Sequence, residues 1–216
     1  MKQYNTVIFD LDGTLLNTIE DLTNALNHSL TKFGFPARTL PEAQSFVGNG
    51  LRRLLELSIP EGLKNPKFEE VFSYFKPYYT EHCKEATAPY SGIMEVLTEL
   101  HRHHIPMAIV SNKNDAAVKE LAADFFNGLI SVAIGERTGV LKKPAPDTVF
   151  TALEELGLGT EGVVYVGDSE VDLATAANAG LDCISVAWGF KGREFLEKEG
   201  ASIIIDTPKE LLSFFI

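Results

Sequence analysis

The sequence predicts an α/β protein, a doubly wound and mostly parallel Rossmann-like sheet with a helical cap inserted into it. Five short apolar runs have the length of buried strands. From Pro106 onward, helical stripes separate those runs, the alternation that builds parallel sheets with helices on both faces. Between the first two runs, from Leu16 to Glu85, only helical signals occur. That stretch is too long for a crossover and long enough for a small helical domain.

The elements follow in order. Thr6–Asp10 is the first strand. Thr18 with Asp21 resembles a capping box, and Ile19, Leu22, Leu26, Leu30 and Phe33 continue as a helical stripe ending at Gly34 and Pro36. Leu51, Leu54, Leu55 and Ile59 form a second stripe. Phe68, Val71, Phe72 and Phe75 form a third, which Pro77 is expected to kink or stop. The segment Ala86–Gly92 reads as the return linker. Pro106–Ser111 is the second strand, Ala116–Phe125 a helix, Leu129–Ile134 the third strand, and Thr148–Leu156 another helix. Val163–Gly167 and Cys183–Ala187 are further strands, with Ala201–Ile205 at an edge. The expected division is a core of residues 1–15 and 86–216 and a cap of residues 16–85, with no internal repeat.

Composition sets the outer limits. A chain of 216 residues with 45% hydrophobic content can bury an ordinary core. Its net charge of −11 argues against nucleic acid or an anionic membrane as partner, since both call for clustered Lys and Arg. Cys83 and Cys183 stand in no metal or redox spacing, which suits a reducing compartment. No run approaches the length of a membrane span, and no signal pattern opens the chain. The expectation is a cytoplasmic protein, monomeric or homodimeric.

Ligands of open α/β sheets bind outside the carboxyl ends of the strands. Asp10, Asp12 and Thr14 follow the first strand, and Ser111 and Asn112 the second. Lys142 and Lys143 lie past the third, and Asp168, Ser169 and Asp172 follow the fourth. Four carboxylates gathered at one edge cannot all ionise without a cation. A hard dication of the Mg²⁺ type takes oxygen ligands and leaves positions open for water and phosphate, while a lysine adds a second positive charge. A phosphate ester is the natural third party.

Asp10-Leu11-Asp12-Gly13-Thr14-Leu15 resembles the first motif of the haloacid dehalogenase superfamily in its phosphatase form. Ser111-Asn112 resembles the second motif, Lys143-Pro144 the third and Gly167-Asp168-Ser169-Glu170-Val171-Asp172 the fourth. The four occur in the family's order across the chain, and the helical insert resembles its first cap type. The resemblance implies that Asp10 is the nucleophile and forms an aspartyl-phosphate. It implies that Asp12 protonates the leaving group and then activates water. Asp10, Asp168 and the backbone carbonyl of Asp12 would hold Mg²⁺, with Asp172 orienting a bound water or Lys143. Ser111 and Asn112 would hold phosphoryl oxygens, Lys143 would stabilise charge, and Gly13 and Thr14 would line the phosphate loop.

Plainer readings compete at single positions. Asp172 also fits a simple helix cap, and the Thr14 hydroxyl fits a role in fixing the turn around Asp12. His101, His103 and His104 read as cationic partners of a helix C-terminus rather than metal ligands. In the cap, Gly48-Asn49-Gly50 opens a helix whose start can receive an anion. Arg52 or Arg53, off the apolar stripe, could pair with a carboxylate or phosphate on the substrate. The expected function is Mg²⁺-dependent hydrolysis of a small phosphorylated metabolite, phosphoglycolate first. A phosphosugar mutase, a pyrophosphatase, a nucleotidase and a silent binding protein are the alternatives.

Overall fold

Val7 and Phe9 project into one apolar layer and Ile8 into another, the two-residue period of a strand buried on both faces. The computed structural model describes residues 3–216. They divide into two compact units, residues up to Leu16 with Pro89–Ile216, and Asn17–Ala88.

In the first unit, β1 (Thr6–Phe9), β4 (Met107–Asn114), β5 (Val132–Glu136), β6 (Val163–Gly167), β7 (Asp182–Val186) and β8 (Ile204–Ile205) form one sheet in the order β5-β4-β1-β6-β7-β8. Its paired strands run parallel. The chain winds outward through β4 and β5, then returns to β6 on the other side of β1. The reversal places the topological switch beside β1, where such sheets bind ligands. One layer packs α5 (Ile93–Arg102) and α6 (Asp115–Phe126) on the Val7 face. The other packs α7 (Asp147–Leu156) and α8 (Glu170–Ala179) on the Ile8 face. The expected edge strand is there, shortened to Ile204–Ile205.

Two strand boundaries move for physical reasons. The third strand, expected over Leu129–Ile134, begins at Val132, because Leu129 and Ile130 are apolar in order to pack against the core from a turn. The second strand runs on to Asn114 rather than ending at Ser111. Between Val110 and Asn114 it advances four residues while β5 advances only two, from Ile134 to Glu136. This bulge frees Ser111, Asn112 and Lys113 from the ladder and re-aims them.

The second unit is built from α1 (Ile19–Lys32), α2 (Leu40–Phe46), α3 (Leu51–Ser58) and α4 (Phe68–His82) around Leu26, Leu54, Phe68, Val71 and Phe75. β2 (Leu16–Asn17) and β3 (Ala88–Pro89) form a separate two-stranded sheet. Two local expectations change here, and one helix was not foreseen. Pro77 does not stop α4, which continues to His82; Phe75 and Tyr79, buried on either side, outweigh the lost hydrogen bond. The Thr18 side chain makes no capping bond. Asp21 instead turns its carboxylate to the backbone N–H groups of Ala86 and Thr87, at 2.8–3.0 Å. Finally, α2 starts from a capping box between Thr39 and Glu42, with Pro in its first turn.

Candidate active site

Asp10 leaves the end of β1, and its N–H donates to the carbonyl of Val166 at 2.8 Å, joining the ends of β1 and β6. The next residues close a tight loop, with Gly13 N–H donating to Leu16 O at 2.9 Å. Gly13 has φ +90°, and a Cβ there would collide with the Asp168 carboxylate. The loop can therefore press against Asp168 only with glycine at this position.

Lys143 is the hub of the site. Its Nζ donates to Asp10 Oδ1 and to Asp172 Oδ1, both at 2.7 Å, and to the Tyr165 hydroxyl at 3.0 Å. It is 3% exposed, whereas its neighbour Lys142 lies in solvent. That contrast selects Lys143 from the pair. The Tyr165 hydroxyl in turn donates to Asp172 Oδ1 at 3.2 Å. Asp172 contacts Lys143 and the start of α8 at once. Its Oδ1 faces Lys143, while its Oδ2 accepts from the backbone N–H of Asp168 and Ser169 and from the Ser169 hydroxyl at 2.7 Å. Asp168 is held from another side by the Phe190 N–H, which donates to its Oδ2 at 2.6 Å.

Asp10, Asp168 and Asp172 are buried, and each offers a carboxylate oxygen within 4.8 Å of the others. Against these three acids stands the ammonium of Lys143. Burial pushes Asp10 up to about 7, with Lys143 opposing and Asp172 and Asp12 adding to the rise. Burial likewise raises Asp168 well above the carboxylate range, reinforced by Asp172 and Asp10. Burial alone would depress Lys143, but the two carboxylates overcome it and raise it well above its ordinary value. Three hard oxygen donors whose negative charge is under-compensated fit a small dication. Asp12 stands outside the trio, its carboxylate paired with Lys113 at 3.1 Å.

Ser111 and Asn112 are buried in the bulge of β4, and Asn112 donates from Nδ2 to the carbonyl of Lys143 at 3.1 Å. Thr14 is fully buried, and its carbonyl accepts from the Trp188 indole at 3.0 Å. Thus Asp10, Asp12, Gly13, Thr14, Ser111, Asn112, Lys143, Asp168 and Asp172 all belong to the first unit. Gly48, Asn49 and Arg52 belong to the second. There α3 begins after Gly50, and Arg52 is half exposed. The Arg52 guanidinium is tied to Glu69 and lies 4.9 Å over the Phe68 ring, and Arg53 pairs with Glu56 at 2.8 Å. His103 pairs with Glu99 at 3.2 Å at the exposed end of α5, in keeping with a helix-terminal role.

Sequence reasoning missed Lys113, Tyr165, Gly189 and Phe190. Tyr165 was visible as the one hydroxyl in an otherwise aliphatic strand. Gly189 and Phe190 follow β7 at the same sheet edge, and a Cβ on Gly189 would strike Asp168. Extending the inventory of strand ends to that strand would have found them.

The chain is similar to known proteins over most of its length. A family model described as haloacid dehalogenase-like hydrolase matches residues 7–186. The chain is 30% identical to the phosphoglycolate phosphatase of Chromobacterium violaceum, over 98% of this chain and 96% of that one. It is 29% identical to phosphoglycolate phosphatase 1 of Pseudomonas aeruginosa, over 95% and 78% of the two chains. A crystal structure from Lactobacillus delbrueckii subsp. bulgaricus, provisionally described as a phosphoglycolate phosphatase, superimposes with a TM-score of 0.94 at 35% identity, over 99% of both chains.

Proposed function

The chain belongs to the haloacid dehalogenase-like hydrolase family and is one of its phosphatases, and from that premise we propose that Asp10 carries a Mg²⁺-dependent hydrolysis of a small phosphate monoester. The observation that carries the reading is the buried cluster of Asp10, Asp168, Asp172 and Lys143 at the topological switch of the sheet.

The roles follow from the chemistry of each group. The Asp10 carboxylate attacks phosphorus, so that a bond from its oxygen to phosphorus forms as the ester P–O bond breaks. The departing oxygen takes the electron pair and a proton from Asp12. In the second half, Asp12 removes a proton from water, which attacks the aspartyl-phosphate, releases inorganic phosphate and frees Asp10. Lys143 stabilises the charge shared by Asp10 and the transferring group, and Tyr165 and Asp172 hold that ammonium in place. Ser111 and the Asn112 backbone receive phosphoryl oxygens. Asp10 and Asp168, with the carbonyl of Asp12, would hold the ion, and Asp172 would support it through a bound water or through Lys143. When bound, Mg²⁺ neutralises phosphoryl charge and fixes the orientation of the reacting groups.

Phosphoglycolate is the first substrate to test, because relatives matching nearly the whole chain carry that name. Gly48, Asn49 and Arg52 of the second unit are the residues proposed to select it. The net charge of −11 and the buried site favour a small-molecule substrate over nucleic acid. Among the described residues no helix is long and apolar enough to cross a membrane. The deciding experiment is phosphate release across a panel of phosphoglycolate, sugar phosphates, nucleoside monophosphates and pyrophosphate, with and without Mg²⁺. Mg²⁺-dependent release with phosphoglycolate at the head of the panel is expected. Isomer interconversion without phosphate release would replace this reading with a mutase.

A further inference from the structure

Two buried lysines serve the carboxylates of the site. Lys143 serves Asp10 and Asp172, and Lys113 serves Asp12. Lys113 Nζ donates to Asp12 Oδ1 at 3.1 Å, with the lysine side chain 5% exposed and the aspartate side chain 19%. A surface pair with that spacing would contribute little. A buried ammonium is different, because its desolvation is costly unless it is paired. Its location is also specified by the backbone. The β4 bulge places Lys113 outside the regular ladder, and the Lys113 N–H donates to Ser111 Oγ at 3.2 Å, fixing the turn that aims the side chain.

We propose that Lys113 is a positioning residue for leaving-group departure, holding the Asp12 carboxyl in its productive orientation and receiving the charge that develops on it. The proposal rests on Asp12 being the proton donor, as read above. When the ester P–O bond breaks, the departing oxygen takes the electron pair and the Asp12 proton, and Asp12 becomes a carboxylate. The ammonium of Lys113 is already in place beside it, so no reorganisation accompanies the transfer. A substrate whose leaving group departs easily needs little of this help. A poor leaving group needs all of it.

The test is kcat/KM for aryl phosphates of rising leaving-group pKa, from 4-nitrophenyl to phenyl phosphate, and for phosphoglycolate. Lys113→Met is compared with wild type, Lys113→Arg, Asp12→Ala and the Asp12→Ala/Lys113→Met double variant. Lys113→Met is expected to lose about 10–100-fold on phenyl phosphate and phosphoglycolate, and far less on 4-nitrophenyl phosphate. Lys113→Arg should recover most of the loss, and the double variant should be no worse than Asp12→Ala alone. If Lys113→Met does not fold, Lys113→Gln keeps a donor without the charge and should show the same slope. An equal loss along the series, or a further loss in the double variant, overturns the proposal. A flat series for Asp12→Ala has a separate signature: it removes Asp12 as proton donor, and this role of Lys113 with it.

Discussion

Lys143 Nζ lies 2.7 Å from Asp10 Oδ1, although 133 positions separate the two residues in sequence. Among the described residues, removing the ammonium leaves Asp10, Asp168 and Asp172 buried with no ion pair to a cation. Lys143→Met is therefore expected to lower kcat by at least about 100-fold and to destabilise the metal-free protein by about 3–5 kcal/mol. Phosphatase assays and urea unfolding check the two effects. Lys143→Arg should not restore activity, because a planar guanidinium cannot reproduce three contacts converging on one nitrogen.

Asp10→Asn tests the nucleophile. The amide occupies the same volume, so the fold should be kept, while steady-state phosphate release should fall to background. Circular dichroism and a phosphate-release assay suffice. Retained turnover in a homogeneous preparation would remove Asp10 from the mechanism.

Mg²⁺ should stabilise the protein without substrate, because it binds a folded arrangement of three carboxylates that the unfolded chain lacks. The Tm should rise with Mg²⁺ concentration and fall back on chelation, together with activity. In Asp168→Asn the shift should shrink sharply. Ca²⁺ should support little catalysis, since its larger shell displaces the nucleophile.

Asp21 is 3% exposed and accepts from the backbone of Ala86 and Thr87. Asp21→Ala leaves those N–H groups without their carboxylate. It should destabilise the second unit by about 1–3 kcal/mol and speed proteolysis near residues 84–88. Urea melts and limited digestion read both.

The Tyr4 hydroxyl donates to Asp182 Oδ2 at 2.9 Å. Burial, then the bond and charge of Asp182, push the phenol up to about 12. The folded state keeps its proton where the unfolded tyrosine, near 10, has begun to lose it. The stability it contributes is thus present below pH 10 and is lost as pH rises through about 12. Tyr4→Phe should cost about 1 kcal/mol at neutral pH and flatten the decline across that alkaline window. Urea melts at stepped pH decide it.

The strand ends were legible because apolar runs fix where strands stop, and the chemistry of this fold sits at those stops. Asp10, Asp12 and Asp168 could be located that way, and Pro144 and Pro146 singled out Lys143. Lys113 could not, because nothing in the run Pro106–Ser111 announces a bulge that carries the strand three residues further. Pro77 does not stop its helix because the rule is local, whereas the apolar face of α4 is buried by distant partners. Asp21 misled in the opposite sense: it stands at a capping position, but its ligands lie 65 residues away. The short helix over Leu40–Phe46 was legible in Thr39 and Glu42 and went unread.

The indole of Trp188 donates to the carbonyl of Thr14, four residues from Asp10, and the chain has one tryptophan. The protein therefore carries a native optical reporter on the loop that follows β1. Selective excitation of that ring reads the surroundings of the Gly13–Thr14 turn with no background from other indoles and no attached dye. Stopped-flow emission can time ion binding and phosphoenzyme formation in the unlabelled protein.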